Sequence, residues 1–276
     1  ISANLNAPKS VNRGFLNKKV LVQIEGWNNN FKNPVGKVVR VIGDINNHDT
    51  EINSILFDYG FDAVFSEDVE LDVKKSNLSI SKKEIKQRLD VRKTKTFTID
   101  PEDAKDFDDA ISVKQLKNNN WEIGVHIADV SHYVLAGGAI DKEAFKRATS
   151  VYLVDRVIPM LPELLSNDLC SLKPNEDRLA YSVFFEFDEK HALVDYKLAK
   201  TVIHSDFRFT YSSAQKTINT KTGVLAKELI VVEKISKKLR KIRFEKGSIN
   251  FEISELKFIL NKEKEPIDVY FKEVLQ

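Results

Sequence analysis

An α+β fold is predicted for this chain, as an all-β module followed by a mixed domain, and three observations predict it. Short β-branched runs separated by turn-prone residues fill the first ~70 positions. Alternating and helical apolar patterns interleave from Thr94 onward, and a basic stretch with helical spacing stands between the two regions. The 276 residues suffice for one large or two ordinary domains with real cores. A content of 42% apolar and 30% charged residues is that of a soluble globular protein, and no run approaches the ~18 apolar residues of a membrane span. No membrane association is therefore expected.

Lys19–Ile24, Gly36–Ile42 and Glu51–Leu56 read as strands, parted by Trp27–Asn30 and Gly43–Asn47. Several short strands in so little chain suggest a small closed barrel. Phe31 and Lys32, followed by Lys37 and Arg40, place an aromatic among bases. That pattern suits base stacking with phosphate contact, and equally a generic barrel with core aromatics. Ile80–Lys93 reads as a basic amphipathic helix capped by Ser79 or Ser81. Lys95–Ile99, Ile111–Val113 and Trp121–Ile127 read as strands, and Ala180–Phe187 with Leu193–His204 as a hairpin across Asp188-Glu189-Lys190. Leu225, Leu229, Val232, Ile235, Leu239 and Ile242 predict a long helix closed by Gly247, after which Ile249–Ile253, Leu256–Leu260 and Ile267–Phe271 return to strand.

Charge is distributed in blocks. With 43 Lys+Arg against 41 Asp+Glu the net charge is only +2. Yet residues 1–48 hold seven bases and two acids, 49–72 eight acids and no base, and 73–93 eight bases and two acids. Six acids face one lysine between 98 and 109, and seven bases face one acid from Lys234 to Lys246. Taken singly, such blocks are solvated faces; alternating within a near-neutral protein, they suggest a basic surface for a polyanion beside a focused acidic site. The single cysteine, Cys170, excludes an intramolecular disulfide framework and fits a reducing cytoplasm. The chain opens on Ile1 with no basic-then-apolar leader, so a processed or cut-down protein is expected.

The acidic cluster is the most informative stretch. Asp100, Glu102, Asp103, Asp106, Asp108 and Asp109 follow one strand and lead into the next, with Ile99, Phe107, Ala110 and Ile111 interleaved. Carboxylates so crowded repel unless a cation or protons compensate, and oxygen donors select Mg²⁺ or Mn²⁺ over zinc. A Ca²⁺ loop starting at Asp106 fails, because Ala110 stands at its fifth position and no glycine follows. A phosphoryl-transfer metal site and a solvated acidic loop both remain consistent with the spacing.

The motif Thr98-Ile99-Asp100 followed by Asp106-Phe107-Asp108-Asp109-Ala110 resembles the Asp-x5-Asp-x-Asp-Asp signature of the ribonuclease II/ribonuclease R (RNB) family. Gly124–Val134, Arg147–Leu153, Val157–Pro162 and Leu165–Leu172 resemble that family's following blocks in the same order, with Ile127–Val134 closer to the ribonuclease R branch. The resemblance implies a cold-shock-type OB barrel over residues 1–75, a basic helical linker over 76–93, and the first part of an RNB catalytic domain over 94–276. It implies processive, Mg²⁺-dependent 3′-to-5′ hydrolysis of single-stranded RNA from a free 3′ end, releasing nucleoside 5′-monophosphates, with Mn²⁺ able to substitute. By the same resemblance Asp100, Asp106, Asp108 and Asp109 form the metal site. Asp100 and Asp109 would be direct ligands, Asp106 a support, and Asp108 the residue least dispensable for chemistry. Tyr152 matches a tyrosine that packs on the 3′-terminal nucleotide, and Tyr211, more loosely, one linked to RNA preference. Phe31, Lys32, Lys37 and Arg40, with the bases at 82–93 and 234–246, would line the RNA approach. His126, His132 and Cys170 are read as structural.

By that resemblance, the segment carrying phosphate-binding arginines, a catalytic glutamate and a second stacking aromatic lies past Gln276. The chain by itself is therefore expected to be weakly active or inactive. The runner-up reading is a non-catalytic RNA-binding or regulatory protein that keeps the fold. A third, a Mg²⁺ hydrolase of small phosphates, has no need of a basic barrel.

Overall fold

Val20, Leu21, Val22 and Ile24 crowd β-branched and apolar side chains into a run that packs best when extended. In a computed structural model, which describes residues 14–26, 34–75, 79–249, 256–262 and 265–271, they lie on strand β1 (Lys18–Gly26). It pairs antiparallel with β2 (Val35–Asp44) in a register that sets Leu21 opposite Arg40 and Gln23 opposite Lys37. Three register shifts along the pair coil this ribbon.

The third strand expected here is a helix instead. Residues 48–58 form α1 (His48–Asp58), in which Asn47 accepts the Thr50 N–H at 3.1 Å and Asp49 and Glu51 occupy the positive first turn. The Asn-rich turn that suggested a hairpin is the helix cap. Ile52, Ile55 and Leu56 also fit a spacing of three and four, and Leu56 is buried. A Lys19–Glu51 ion pair ties α1 to β1. Among the described residues, this first unit contains these two strands and this helix.

A second unit begins at Glu67. Its helices are α2 (Glu67–Lys75), α3 (Lys82–Lys86), α4 (Val130–Tyr133), α5 (Ala139–Arg147), α6 (Tyr211–Thr220) and α7 (Ala226–Glu245). The strands are β3 (Leu89–Asp90), β4 (Thr96–Asp100), β5 (Asp109–Gln115), β6 (Trp121–Ala128), the short pair β7 (Val151–Tyr152) and β8 (Val157–Ile158), β9 (Asp177–Phe187), β10 (Leu193–His204) and β11 (Phe207–Thr210). Strands β12 (Leu256–Leu260) and β13 (Pro266–Phe271) make a further antiparallel hairpin. The expected strand at Ile249–Ile253 falls largely outside the described residues.

Seven strands share one sheet in the order β11-β4-β5-β6-β9-β10-β3, with parallel pairing only at the two edges. The β9–β10 hairpin runs from Leu193 opposite Phe187 to His204 opposite Asp177, as the two apolar runs predicted. The basic helix expected over 80–93 is one turn and a half, capped by Ser81. The chain then extends so that Leu89 and Asp90 join the sheet edge beside Thr201 and Val202. What stops the helix is Arg88, whose buried guanidinium pairs with Glu84 at 2.6 Å and Asp129 at 2.7 Å. Burial pushes Asp129 up, but the Ser131 hydroxyl and Arg88 outweigh it and hold the carboxyl below its ordinary value.

The main core lies where α6 and α7 cover one end of the sheet. Phe97, Val113, Ile123, Phe187 and Phe209 from the strands meet Ala214, Leu229, Val231 and Ile235 from the helices. Phe97 and Phe209 pack edge to face at 5.7 Å. Each such buried side chain contributes roughly 1.5–3 kcal/mol of transfer free energy. Strand alternation puts a polar row on the opposite face: His126 Nδ1 lies 2.7 Å from Ser182 Oγ, which lies 2.6 Å from Thr201 Oγ1, all fully buried. Gly124 makes room for it, since a Cβ there would fall 2.3 Å from Ser112 Oγ and 2.8 Å from His126 Nε2. Cys170 is buried and free, its thiol pushed up to about 12 by burial. Among the described residues no helix is long and apolar enough to cross a membrane.

Burial lowers the His126 pKa from 6.5 to about 4. The unfolded chain takes up a proton below 6.5 that the folded chain refuses until about 4, so stability falls as pH drops through that window. At ~1.4 kcal/mol per pH unit the loss is on the order of 3 kcal/mol. Urea denaturation at pH 7 and pH 4.5 should show this decline, and His126→Gln should flatten it.

Candidate active site

Strand β4 delivers Asp100 at its last residue and β5 presents Asp109 at its first, so the intervening loop must reverse the chain while carrying four more acids. The loop has no regular structure of its own, and its backbone is tied from outside. Ser171 Oγ accepts the Phe107 N–H at 3.0 Å and donates to the Lys105 carbonyl at 2.8 Å. The Leu172 N–H donates to the Phe107 carbonyl at 2.8 Å, and the Ala128 N–H to the Asp108 carbonyl at 3.0 Å. Phe107 is buried, which anchors the interleaved apolar residue as the sequence pattern suggested.

The four motif aspartates interact. Asp100 is buried and its Oδ2 has no hydrogen-bond partner. Burial pushes its pKa up, and the charges of Asp109 and Asp106 add to the shift against a smaller opposing effect of Arg208. Asp108 stays open to solvent at its surface, yet partial desolvation and then Asp106, Asp109 and Asp100 raise its pKa too. Tyr152, on the β7–β8 hairpin, donates its hydroxyl to Asp106 Oδ2 at 3.1 Å. Its pKa rises through burial first, then through the Asp106 charge and hydrogen bond. Its side chain is 67% exposed, which leaves ring surface available for stacking.

Tyr211 opens α6, where Thr210 and Ser213 form a reciprocal capping box. A cleft of about 340 Å³ between β4, β5 and α6 is lined by Tyr211, Asp109 and Gln215 above Phe97, Ile111 and Ile218. The structure thus gathers the four aspartates, Tyr152 and Tyr211 at one end of the sheet. Lys37 and Arg40 belong to the first unit, on β2. Arg40 is engaged there, paired with Asp62 at 2.9 Å and lying 5.3 Å from the Phe57 ring centre. Phe31 and Lys32 lie outside the described residues. Two residues at the acidic loop escaped the sequence reading: Ser171, present in a quoted block without a role, and Arg208, the base preceding Phe209-Thr210-Tyr211.

Among the described residues, no three His, Cys, Asp or Glu side chains converge as a closed metal site would require. The chemistry of the donor set nonetheless fits a hard divalent ion. It is oxygen-only, its carboxylates raise one another's pKa, and Asp100 Oδ2 is buried without a partner.

Fold and site together define an α+β protein whose carboxylates crowd the strand ends of a mixed sheet, preceded by a small module built on a twisted β-ribbon. The chain belongs to the RNB family: residues 88–276 match its RNB domain, and residues 6–60 match the Dis3-like cold-shock domain 2 (CSD2). Ribonuclease R of Thermotoga maritima is 40% identical over 271 residues, covering 95% of this chain and 38% of that protein. The human exosome complex exonuclease RRP44 is 38% identical over 261 residues, covering 93% of this chain and 27% of that protein. Mycoplasma genitalium RNase R, solved in complex with ribose-methylated single-stranded RNA, aligns with TM-score 0.83 at 30% identity over 94% of this chain and 41% of its own. Yeast Ssd1, described as a pseudonuclease, aligns with TM-score 0.68 over 87% of this chain and 30% of its own; at 22% identity this likeness concerns the fold alone. The chain therefore spans well under half the length of the relatives it matches.

Removing the Ser171 hydroxyl strands the buried Phe107 N–H. Ser171→Ala should destabilise the chain by about 1–3 kcal/mol in urea denaturation, while leaving the far-UV spectrum of the folded state unchanged.

Proposed function

We propose that this chain supplies the aspartate site and an RNA-entry module of a hydrolytic 3′-to-5′ exoribonuclease. The observation that carries this reading is the set of four mutually interacting aspartates on a braced loop, with Tyr152 hydrogen-bonded to one of them. Kinship with ribonuclease R and RRP44 over nearly the whole chain supports it.

In this proposal Asp100, Asp106, Asp108 and Asp109 would hold Mg²⁺, with Mn²⁺ as a substitute. Bound there, the ion would neutralise the scissile phosphate and favour a hydroxide nucleophile. Tyr152 stacks on the 3′-terminal base, and its hydroxyl keeps Asp106 oriented. Tyr211, on the rim of the cleft beside Asp109, contacts the sugar, where a 2′-hydroxyl would distinguish RNA from DNA. Bases of the first unit and linker, with Phe31 as a stacking aromatic, guide a single strand by phosphate contact. Hydrolysis adds water across the last phosphodiester, releasing a nucleoside 5′-monophosphate and leaving a 3′-hydroxyl on the shortened strand. Processive turnover and a cytoplasmic setting complete the proposal. The domain partition we propose is a barrel over 1–75, a linker over 76–93 and the catalytic segment from 94 onward.

The test grafts this chain in place of the matching residues of Thermotoga maritima ribonuclease R and supplies 5′-labelled single-stranded RNA with Mg²⁺. We expect single-nucleotide shortening from the 3′ end, abolished by EDTA and lowered at least a hundredfold by Asp108→Asn. RNA that stays bound but intact would favour a non-catalytic binding protein instead. Binding of the same RNA by the ungrafted chain should weaken steeply between 50 and 200 mM salt, because phosphate contacts release counterions.

A further inference from the structure

Arg208 occupies a position that the proposed chemistry leaves without a role. It sits on β11 opposite Thr98 of β4, half-buried, and reaches over both ends of the acidic loop. Its Nη2 donates to the Pro101 carbonyl at 2.6 Å and the Glu102 carbonyl at 2.8 Å, just past Asp100. The same guanidinium lies 5.0 Å from the ring centre of Phe107, between Asp106 and Asp108. Its Nε is buried with no hydrogen-bond partner, so the side chain is committed to this place by the fork and the ring rather than by a carboxylate. A planar guanidinium can grip two carbonyls with one edge and lie on an aromatic with its face, whereas a lysine ammonium offers a point charge alone.

We infer that Arg208 is a positioning residue for the divalent-ion site: a strut that sets the spacing between Asp100 at one end of the loop and Asp106, Asp108 and Asp109 at the other. The inference rests on the proposed metal-dependent reading of the same site. Two effects of the side chain oppose each other. As a positive charge beside carboxylates it disfavours a second cation. As a strut it holds the donors in register, and loss of such an outer support typically weakens metal binding ten- to a hundredfold. If bracing dominates, removing Arg208 weakens ion binding although it removes a repelling charge.

The experiment compares the chain with its Arg208→Met and Arg208→Lys variants, using Mn²⁺ alone as probe, free Mn²⁺ being read by electron paramagnetic resonance. Amide hydrogen exchange of the metal-free proteins is followed in parallel. Both variants should raise the Mn²⁺ dissociation constant about tenfold. Both should accelerate exchange in peptides spanning 101–108 while leaving 179–187 unchanged. Arg208→Lys keeps the charge and serves if Arg208→Met fails to fold. Tighter Mn²⁺ binding by Arg208→Met with wild-type behaviour of Arg208→Lys would make the residue a mere charge and overturn the inference, as would unchanged exchange of the loop. Weakened Mn²⁺ binding and a loosened loop, in a chain whose graft leaves RNA intact, would uphold the strut and sink only the exoribonuclease reading.

Discussion

Like charges held close in a partly desolvated place repel strongly, and a backbone that keeps them together must be restrained by something other than the charges themselves. That constraint governs residues 100–109. Six carboxylates lie within ten positions, and the loop has no helix or sheet hydrogen bonds to keep it folded. Its shape is imposed from outside: by Ser171 and Leu172 from the segment after the Leu165–Leu169 turn, by Ala128 at the end of β6, and by Arg208 on β11. Almost every restraint acts on backbone groups and leaves the carboxylates free of neutralising partners. Such tethering lets a protein concentrate negative charge without cancelling it, as a site for a hard cation needs.

The rest of the second unit follows from this requirement. Elements that reach the loop must be rigid, and each is fixed by its own buried polar contact. The Arg88–Asp129 pair locks the β6 terminus from which Ala128 holds Asp108, and it ends α3 at the same time. Breaking a buried pair of this kind leaves an uncompensated charge, which is why its value here lies in specificity of arrangement more than in net stability. The His126–Ser182–Thr201 row crosses β6, β9 and β10 and permits one register only, because a shift by one residue would carry polar groups into the aromatic core.

Much of this was legible before any coordinates. Periodicity located β1, β2, β4, β6, the β9–β10 hairpin and α7, because each carries a sustained apolar pattern of one period. It failed at 48–58, where a six-residue apolar run fits either period and the deciding signal was the Asn47 cap. It failed again at 80–93, where the helical pattern is cut short by one arginine drawn inward to partners far along the chain. The carboxylate cluster and its two tyrosines were visible as residue types at a spacing. Arg208 and Ser171 were not, because a lone arginine in a strand and a serine in a loop carry no pattern until their partners are known.

Residue order alone determined the fold class, most of the elements and the identity of the acidic site, because these depend on local periodicity and on which side chains can bear a given chemistry. Only the tertiary structure decided how that site is held. The Arg208 contacts span 106 and 107 positions and those of Ser171 span 64 and 66. Hydrogen bonds of such range are set by the order of strands in the sheet, which no local pattern encodes.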